Sequence, residues 1–149
     1  MTHDEIERMP AGREMDAMVA EKVMGLKVSK ASEILELWQA SPSGASYAFI
    51  YGIGKDEMCV AGANSLSTIV PRYSTEIGAA WGVIEKAFDV EPDHKSGFPA
   101  VVRWNDGWRV TLLNGDGTPM DLAYGGKLLL SIADTAPLAI CRAALKAVV

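Results

Sequence analysis

The spacing of apolar residues changes around Pro92, and this change restricts the chain to folds that combine helices with strands. Before Pro92, large apolar side chains recur every three or four positions, which predicts an amphipathic helix that ends at the proline. After it, apolar and aromatic residues fill two short runs separated by a tight-turn sequence, as in a β-hairpin. The predicted helix has one buried stripe of side chains, formed by Ile77, Trp81, Ile84 and Phe88 and completed by Ala80 and Ala87.

The predicted hairpin runs from residue 98 to residue 113, with Asn105-Asp106-Gly107 as its turn. A further run, 126–133, is apolar almost throughout, which predicts a strand covered on both faces. Helices are predicted before and after this region, from Arg13 to Gly25 and from a cap at Asp134 or Thr135 onward. Helices placed around one antiparallel sheet indicate an α+β fold.

The length of 149 residues and the hydrophobic content of 49% are those of a single domain with one core. Residues 1–11 form a polar lead-in that we expect to be partly disordered, so the domain spans residues 12–149. Within it, we interpret residues 27–70 as an inserted region that contains β-structure. The apolar spacing at 32–38 does not decide between helix and strand, and the runs 47–53 and 58–61 predict a second hairpin.

The charge balance and the apolar runs exclude several classes of partner. A formal net charge of -5, with lysines and arginines scattered among the acids, lacks the basic face that nucleic-acid binding needs. No apolar run reaches the roughly 18 residues of a membrane span, and the polar N-terminal stretch does not resemble a secretory signal. We therefore expect a cytoplasmic protein that binds neither nucleic acid nor membranes, with Cys59 and Cys141 reduced and buried.

The titratable residues do not form a recognisable catalytic or metal-binding pattern. His3 lies in the polar lead-in and His94 in a predicted loop, so neither occupies a place where a general base is usually built. The acidic residues between Asp89 and Asp93 lack a histidine partner, and we interpret them as a solvated loop. The sequence therefore predicts a protein that is not an enzyme and that holds no metal or cofactor.

The loop before the helix that ends at Pro92 is the first candidate binding site. Ser74 or Thr75 can cap that helix, whose free N–H groups attract anions. Arg72 adds a guanidinium for a phosphate, and Tyr73 adds a ring that can stack on a base or ribose. The alternative is purely structural, with a capped helix and Tyr73 packed against it.

The hairpin turn is the second candidate binding site. Trp104 and Trp108 flank the turn, so they can face the same side of the hairpin. Arg103 and Arg109 lie beside them, and aromatic and guanidinium surfaces together suit flat or anionic ligands. The alternative is cross-strand packing of the tryptophans onto a helix.

Three segments carry a family resemblance. They are a helix with a Met-Gly exit at 12–25, Pro-x-Tyr-Ser-Thr followed by Ala-Ala-Trp within 71–87, and Thr-Ala-Pro-Leu-Ala-Ile-Cys at the start of 135–147. In this order they resemble the phage ABA sandwich domain, a family of small proteins encoded by bacteriophages and prophages. The resemblance implies a three-layer α/β/α sandwich in which helices cover a small antiparallel sheet.

A phage origin would place the protein in the host bacterial cytoplasm. Small phage proteins include inhibitors of bacterial immunity, and some act as sponges that sequester nucleotide signals, although this link is an analogy of gene context. Our hypothesis is a non-enzymatic anti-defence sponge that holds a small anionic nucleotide. The alternative is an assembly or protein-interaction module, whose exposed apolar surface would come from the first and last helices. We expect a homo-oligomer in either case.

Overall fold

The computed structural model of the chain describes residues 1–34, 56–61, 67–87, 98–113 and 131–149. These residues form helices and two small antiparallel sheets, so the predicted α+β fold is confirmed. Some predicted features lie outside the described residues. They are the strand 47–53, the helix position Phe88, the loops that hold Asp89 to Asp93 and His94, and most of the strand 126–133.

The N-terminal residues contain a short helix, α1 (His3–Arg8), where the polar sequence predicts partial disorder. A capping box begins it, because the Glu5 N–H donates to Thr2 Oγ1 at 3.2 Å and the Thr2 N–H donates to the Glu5 carboxylate at 2.6 Å. The same contact lowers the pKa of Glu5. Ile6 is fully buried. The capping box and this single buried side chain hold a helix in a stretch whose composition is mostly polar.

The second helix, α2 (Arg13–Met18), continues into a π-helical turn over Val19–Val23. Gly25, with φ at 67°, then adopts the left-handed conformation that ends helices. The helix predicted from Arg13 to Gly25 is therefore confirmed. Its buried apolar side chains belong to the core, and they are Met15, Val19, Ala20 and Val23.

The first sheet has the strand order β1 (Val28–Lys30), β2 (Met58–Ala61) and β3 (Ser67–Ile69), with antiparallel pairing throughout. The predicted strand 58–61 is confirmed, and its neighbours among the described residues are β1 and β3. Residues 31–34 are helical, so the described part of the stretch 32–38, for which the sequence allowed a helix or a strand, is a helix at 32–34.

Helix α3 (Ile77–Ala87) differs from its prediction in both its start and its orientation. It begins at Ile77 rather than at Ser74 or Thr75. Ala80, Val83 and Ile84 are buried, whereas Ile77 and Trp81 are each 52% exposed. The prediction that Trp81 lies in the core was thus wrong. The small Ala80 permits close packing against the last helix, a place that the much larger indole of Trp81 would not fit.

The second sheet has the order β4 (Phe98–Trp104), β5 (Gly107–Leu113) and β6 (Ser131–Ala133), again antiparallel. The predicted hairpin is confirmed, with Trp104 pairing with Gly107 and Arg103 with Trp108. Gly107 has φ at 132°, and a Cβ atom there would lie 2.7 Å from the carbonyl oxygen of Ala133. Only glycine permits this close approach of the turn to β6.

The last helix, α4 (Ala136–Val148), is capped by Thr135, whose hydroxyl accepts the Leu138 N–H at 3.4 Å, and Pro137 lies in its first turn. This start was predicted. The helix is buried on nearly all sides because α1, the π-helical turn, α3 and the second sheet all pack on it. None of the helices in the described ranges is long and apolar enough to span a bilayer.

Candidate ligand-binding groove

Ser74 is fully buried and bound to a buried carboxylate, although the sequence placed it in an anion site. Its N–H donates to Asp16 Oδ1 at 2.8 Å, and its hydroxyl donates to the same oxygen at 2.7 Å. The Gly12 N–H in turn donates to Ser74 Oγ at 2.9 Å. The donors of Ser74 are therefore used to join the start of α2 to the loop before α3.

Arg13 completes this connection from the same helix start. Its guanidinium donates to the Val70 carbonyl at 2.7 Å and forms ion pairs with Asp16 at 3.5 Å and Glu57 at 3.2 Å. Asp16 therefore forms an ion pair with Arg13 and accepts hydrogen bonds from Ser74, although only 1% of its surface is exposed. No local sequence pattern indicates this cluster, because its members come from three distant segments.

The rest of the first candidate site is also engaged in local structure. The N–H groups of Thr75 and Glu76 donate to the carbonyl of Arg72 at 3.2 and 2.8 Å, so they are not available to an anion. Tyr73 is 5% exposed, and burial, together with Asp16 and Cys141, raises its pKa. Arg72 and Thr75 are exposed. The predicted stacking of Tyr73 on a base is incompatible with this packing, which is the structural alternative.

The register of the hairpin divides the second candidate site between two faces. Arg103 lies directly opposite Trp108, so these two positions share the face that packs towards α4. Position 104 pairs with Gly107 and therefore belongs to the other face, together with Arg109. The prediction that Trp104 and Trp108 can face the same side stays a prediction. The side chain of Trp104 itself lies outside the described part of the structure.

Arg109 has a local partner on that other face. It forms an ion pair with Asp106 in the turn at 2.6 Å, and this hydrogen bond lowers the pKa of the Asp106 carboxyl. The guanidinium of Arg109 therefore stabilises the turn that leads into β5 at Gly107. Of the four predicted residues at the hairpin, the structure brings together Arg103 and Trp108.

A groove of about 470 Å³ opens between α3, the hairpin and the start of α4. Trp81 borders it from α3, and Trp108 borders it from β5 while also packing against the core. Sequence reasoning missed Trp81 because it assigned this residue to the core. The groove is lined by Ile77, Trp81, Val101, Trp108 and the segment 134–137.

Two helices begin at this groove. Ile77 opens α3, and the segment 134–137 contains the cap and first turn of α4. A Cβ atom added to Gly78 would have nothing within 4 Å, so a ligand can approach the backbone of the first turn of α3. The N–H groups of a helix start carry partial positive charge, which suits an anion.

A family model decides which group of proteins this fold comes from. The model of the phage ABA sandwich domain matches residues 17–145, which include α3, both sheets and most of α4. The chain is a member of the phage ABA sandwich family. Helix α1 precedes the matched residues in this phage ABA sandwich protein.

The phage ABA sandwich protein is also similar to a solved structure. A phage protein from Bacillus cereus ATCC 14579 superposes with a TM-score of 0.54 and 20% sequence identity. The superposition covers 94% of this chain and 93% of that chain. At this identity the likeness concerns the fold. No curated protein matches the sequence.

Chemically, the groove of the phage ABA sandwich protein offers two indole rings and polar groups at its edges. Asp134 is the ionisable residue among its described lining residues, and Thr135 Oγ1 is engaged in capping α4. Arg103 is exposed and lies opposite Trp108 in the sheet. Among the described residues no group of three or more His, Cys, Asp or Glu side chains could hold a metal ion.

Proposed function

We propose that this phage protein binds a small anionic nucleotide in the groove between Trp81 and Trp108 and holds it without chemical change. Such a protein would act as a sponge for a nucleotide immune signal in the cytoplasm of the host bacterium. The observation that carries the proposal is the placement of these two tryptophans at one groove of about 470 Å³. This volume falls in the range of small-molecule sites.

The tryptophans supply the surface for a base. Trp81 is 52% exposed, although Val83 and Ile84 on the same helix are buried. Exposure of an indole to water is unfavourable, but an exposed indole offers a surface on which the flat ring of a ligand can stack. Stacking of a base on an aromatic side chain contributes about 1–3 kcal/mol.

The anionic part of the ligand would lie towards the helix starts and Arg103. The first turn of α3 contains no acidic residue, and Glu76 directly precedes it. A favourable helix-start interaction contributes about 0.3–1 kcal/mol for each anion. Arg103 adds a full positive charge on the same sheet face as Trp108.

The lining residues also favour retention over reaction. General acid–base or nucleophilic catalysis needs paired groups within hydrogen-bond reach of each other. The described lining contains one carboxylate, Asp134, and one hydroxyl, Thr135, and the hydroxyl accepts a backbone N–H of α4. This composition supports a sponge, which needs affinity and no base.

A thermal-shift panel of cyclic and linear nucleotides tests the proposal. A ligand that stabilises the protein is then recovered by heat denaturation and examined by mass spectrometry. We expect a shift with at least one nucleotide, recovery of intact ligand, and loss of the shift in Trp81→Ala and Trp108→Ala. Ile69→Ala is the matched control, because Ile69 is 44% exposed on β3 and does not line the groove. No shift with any nucleotide would reject the proposal, and an altered product would indicate an enzyme.

The alternative function is a protein-interaction module. The sequence predicts its exposed apolar surface on the first and last helices, whereas the structure has such a surface on the second sheet. Helices α2 and α4 bury most of their apolar side chains, so they do not supply an exposed apolar face. On the second sheet, Val102 and Ile132 are 40% and 41% exposed and flank Arg109 in register. Homo-oligomerisation through this face is tested by light scattering of Val102→Asp, with loss of an oligomer as the expected result.

A further inference from the structure

Asp134 places a negative charge at the groove, where a site that binds only anions would have none. It follows β6 directly and precedes the cap of α4, and it is the acidic residue among the described groove-lining side chains. Its side chain is exposed. A carboxylate at this place repels a phosphate, so the anionic end of a ligand must lie elsewhere in the groove.

An ionised carboxylate accepts hydrogen bonds and donates none. The part of the ligand that meets Asp134 must therefore present donors, and in a nucleotide the donors are the ribose hydroxyls and the groups at the edge of the base. Two neighbouring hydroxyls match the two oxygens of one carboxylate, as in dinucleotide sites where an acidic residue binds the ribose.

The sheet register places Asp134 next to the strand position opposite Trp108. Trp108 lies opposite Ala133, so position 134 is one residue further along the edge of the groove. Directly opposite residues have Cβ atoms about 5 Å apart, and one strand residue adds about 3.3 Å. The sugar of a nucleotide whose base stacks on Trp108 is therefore within reach of Asp134 in the same groove.

We infer that Asp134 accepts the 2′- and 3′-hydroxyls of a ribose and makes the groove selective for ribonucleotides over 2′-deoxyribonucleotides. The inference rests on the proposed nucleotide binding. It assigns an orientation to the ligand, with the base between Trp81 and Trp108, the ribose at Asp134, and the phosphate towards Arg103 and the start of α3.

Calorimetric titration with matched ligand pairs tests this assignment. The probes are 5′-AMP, 5′-GMP and ADP-ribose, with 2′-deoxy-AMP and 2′-deoxy-GMP as the partners of the two monophosphates. We expect the wild-type protein to prefer the ribo form by about tenfold to a hundredfold, the range of one hydrogen bond to a charged group. In Asp134→Ala the preference for the ribo form should disappear, and the affinity for the deoxy form should fall less than that for the ribo form, because the deoxy form loses only the contact of its 3′-hydroxyl.

The matched control is Asp4→Ala, because Asp4 also lies at a helix start, in the first turn of α1, and does not line the groove. It should leave both affinities unchanged. Circular dichroism and melting temperature of Asp134→Asn, which retains the shape of the side chain, establish that any loss does not come from unfolding of α4.

The outcomes separate the inference from the function on which it rests. Equal affinity of the wild-type protein for ribo and deoxy partners, or a preference that survives in Asp134→Ala, would overturn the role of Asp134 and leave nucleotide binding standing. Failure of the wild-type protein to bind any of the five probes would overturn the role of Asp134, and if the thermal-shift panel also gave no shift with any nucleotide, the proposed function would be overturned as well.

Discussion

One oxygen of the buried Asp16 carboxylate accepts both the backbone N–H and the hydroxyl of Ser74, at 2.8 and 2.7 Å. This relationship fixes the loop before α3, and therefore the place where Trp81 emerges, to the start of α2. A residue that looks like a helix cap in the sequence is instead one half of a long-range contact.

Removal of the carboxylate in Asp16→Ala should lower the free energy of unfolding by about 3 kcal/mol, because it leaves the buried donors of Ser74 without an acceptor. Urea denaturation measures the loss. The double variant with Ser74→Ala should lose much less than the sum of the single variants. Additive losses would show that the two residues are not coupled.

Gly107→Ala should destabilise the protein by about 1–3 kcal/mol, because the residue has φ at 132° and an added Cβ would meet the Ala133 carbonyl at 2.7 Å. Gly82 provides a matched control within α3, where an added Cβ meets nothing within 4 Å. Gly82→Ala should stabilise the helix by about 0.5–1 kcal/mol. Equal effects of the two substitutions in thermal denaturation would contradict the observed turn.

The orientation of α3 predicts opposite results for neighbouring residues. Val83 is fully buried, and Val83→Ala should lower the free energy of unfolding by about 2 kcal/mol through lost burial and a small cavity. Trp81→Ala should change it by less than about 1 kcal/mol, because this side chain is half exposed. A larger loss of unfolding free energy in Trp81→Ala than in Val83→Ala would indicate that Trp81 is a core residue.

Ile6 tests whether α1 is a folded part of the domain. Ile6→Ala should reduce the free energy of unfolding by about 2–5 kcal/mol, because the side chain is fully buried. Ile77→Ala removes the same atoms from a 52% exposed position and should have a far smaller effect on unfolding. Comparable small losses in both variants would mean that the N-terminal residues do not pack.

Cys141 predicts a pH dependence of stability above pH 9. Burial, with a smaller contribution from Asp16, raises the pKa of its thiol from the ordinary value of 9.0, so the folded state retains a proton that the unfolded chain releases. The free energy of unfolding should be constant with respect to this group below about pH 8 and fall as pH rises further. Urea titrations at about pH 8 and about pH 10 should show a smaller fall in Cys141→Ala, and an unchanged fall would assign the effect to other groups such as Tyr73.

The sequence predicts those elements whose signals are local. The start of α4 carries a threonine cap and a proline, the hairpin carries its turn residues, and the helix that begins at Arg13 ends at a glycine with positive φ. Each signal lies within a few residues of the structure that it specifies. These elements were therefore predicted with nearly correct bounds.

The orientation of α3 could not be predicted in the same way. Two stripes with helical spacing share Ala80 and Ile84, the first completed by the large Ile77 and Trp81 and the second by Val83. Ranking by size favours the first stripe, whereas packing against the alanine-rich α4 favours the second. The decision depends on a partner that lies far along the chain.

The candidate site depends on longer separations still. Ser74 and Asp16 are 58 positions apart, and no local pattern relates them. The groove combines residues from the start of α3, from the hairpin and from 134–137, which meet only in the folded protein. Trp108 was already a candidate residue in the sequence, while the place of Trp81 at the groove required the structure.

Helix α4, which is buried among α3, the second sheet and the N-terminal helices, also controls the spacing of the two tryptophans. Trp81 and Trp108 belong to elements that both rest on it, so the volume of its small side chains determines how far apart the rings stand. Ala139 and Ala143 are fully buried there. Bulkier residues at these two places would push α3 and the second sheet apart and widen the groove, so its dimensions depend on residues that do not line it.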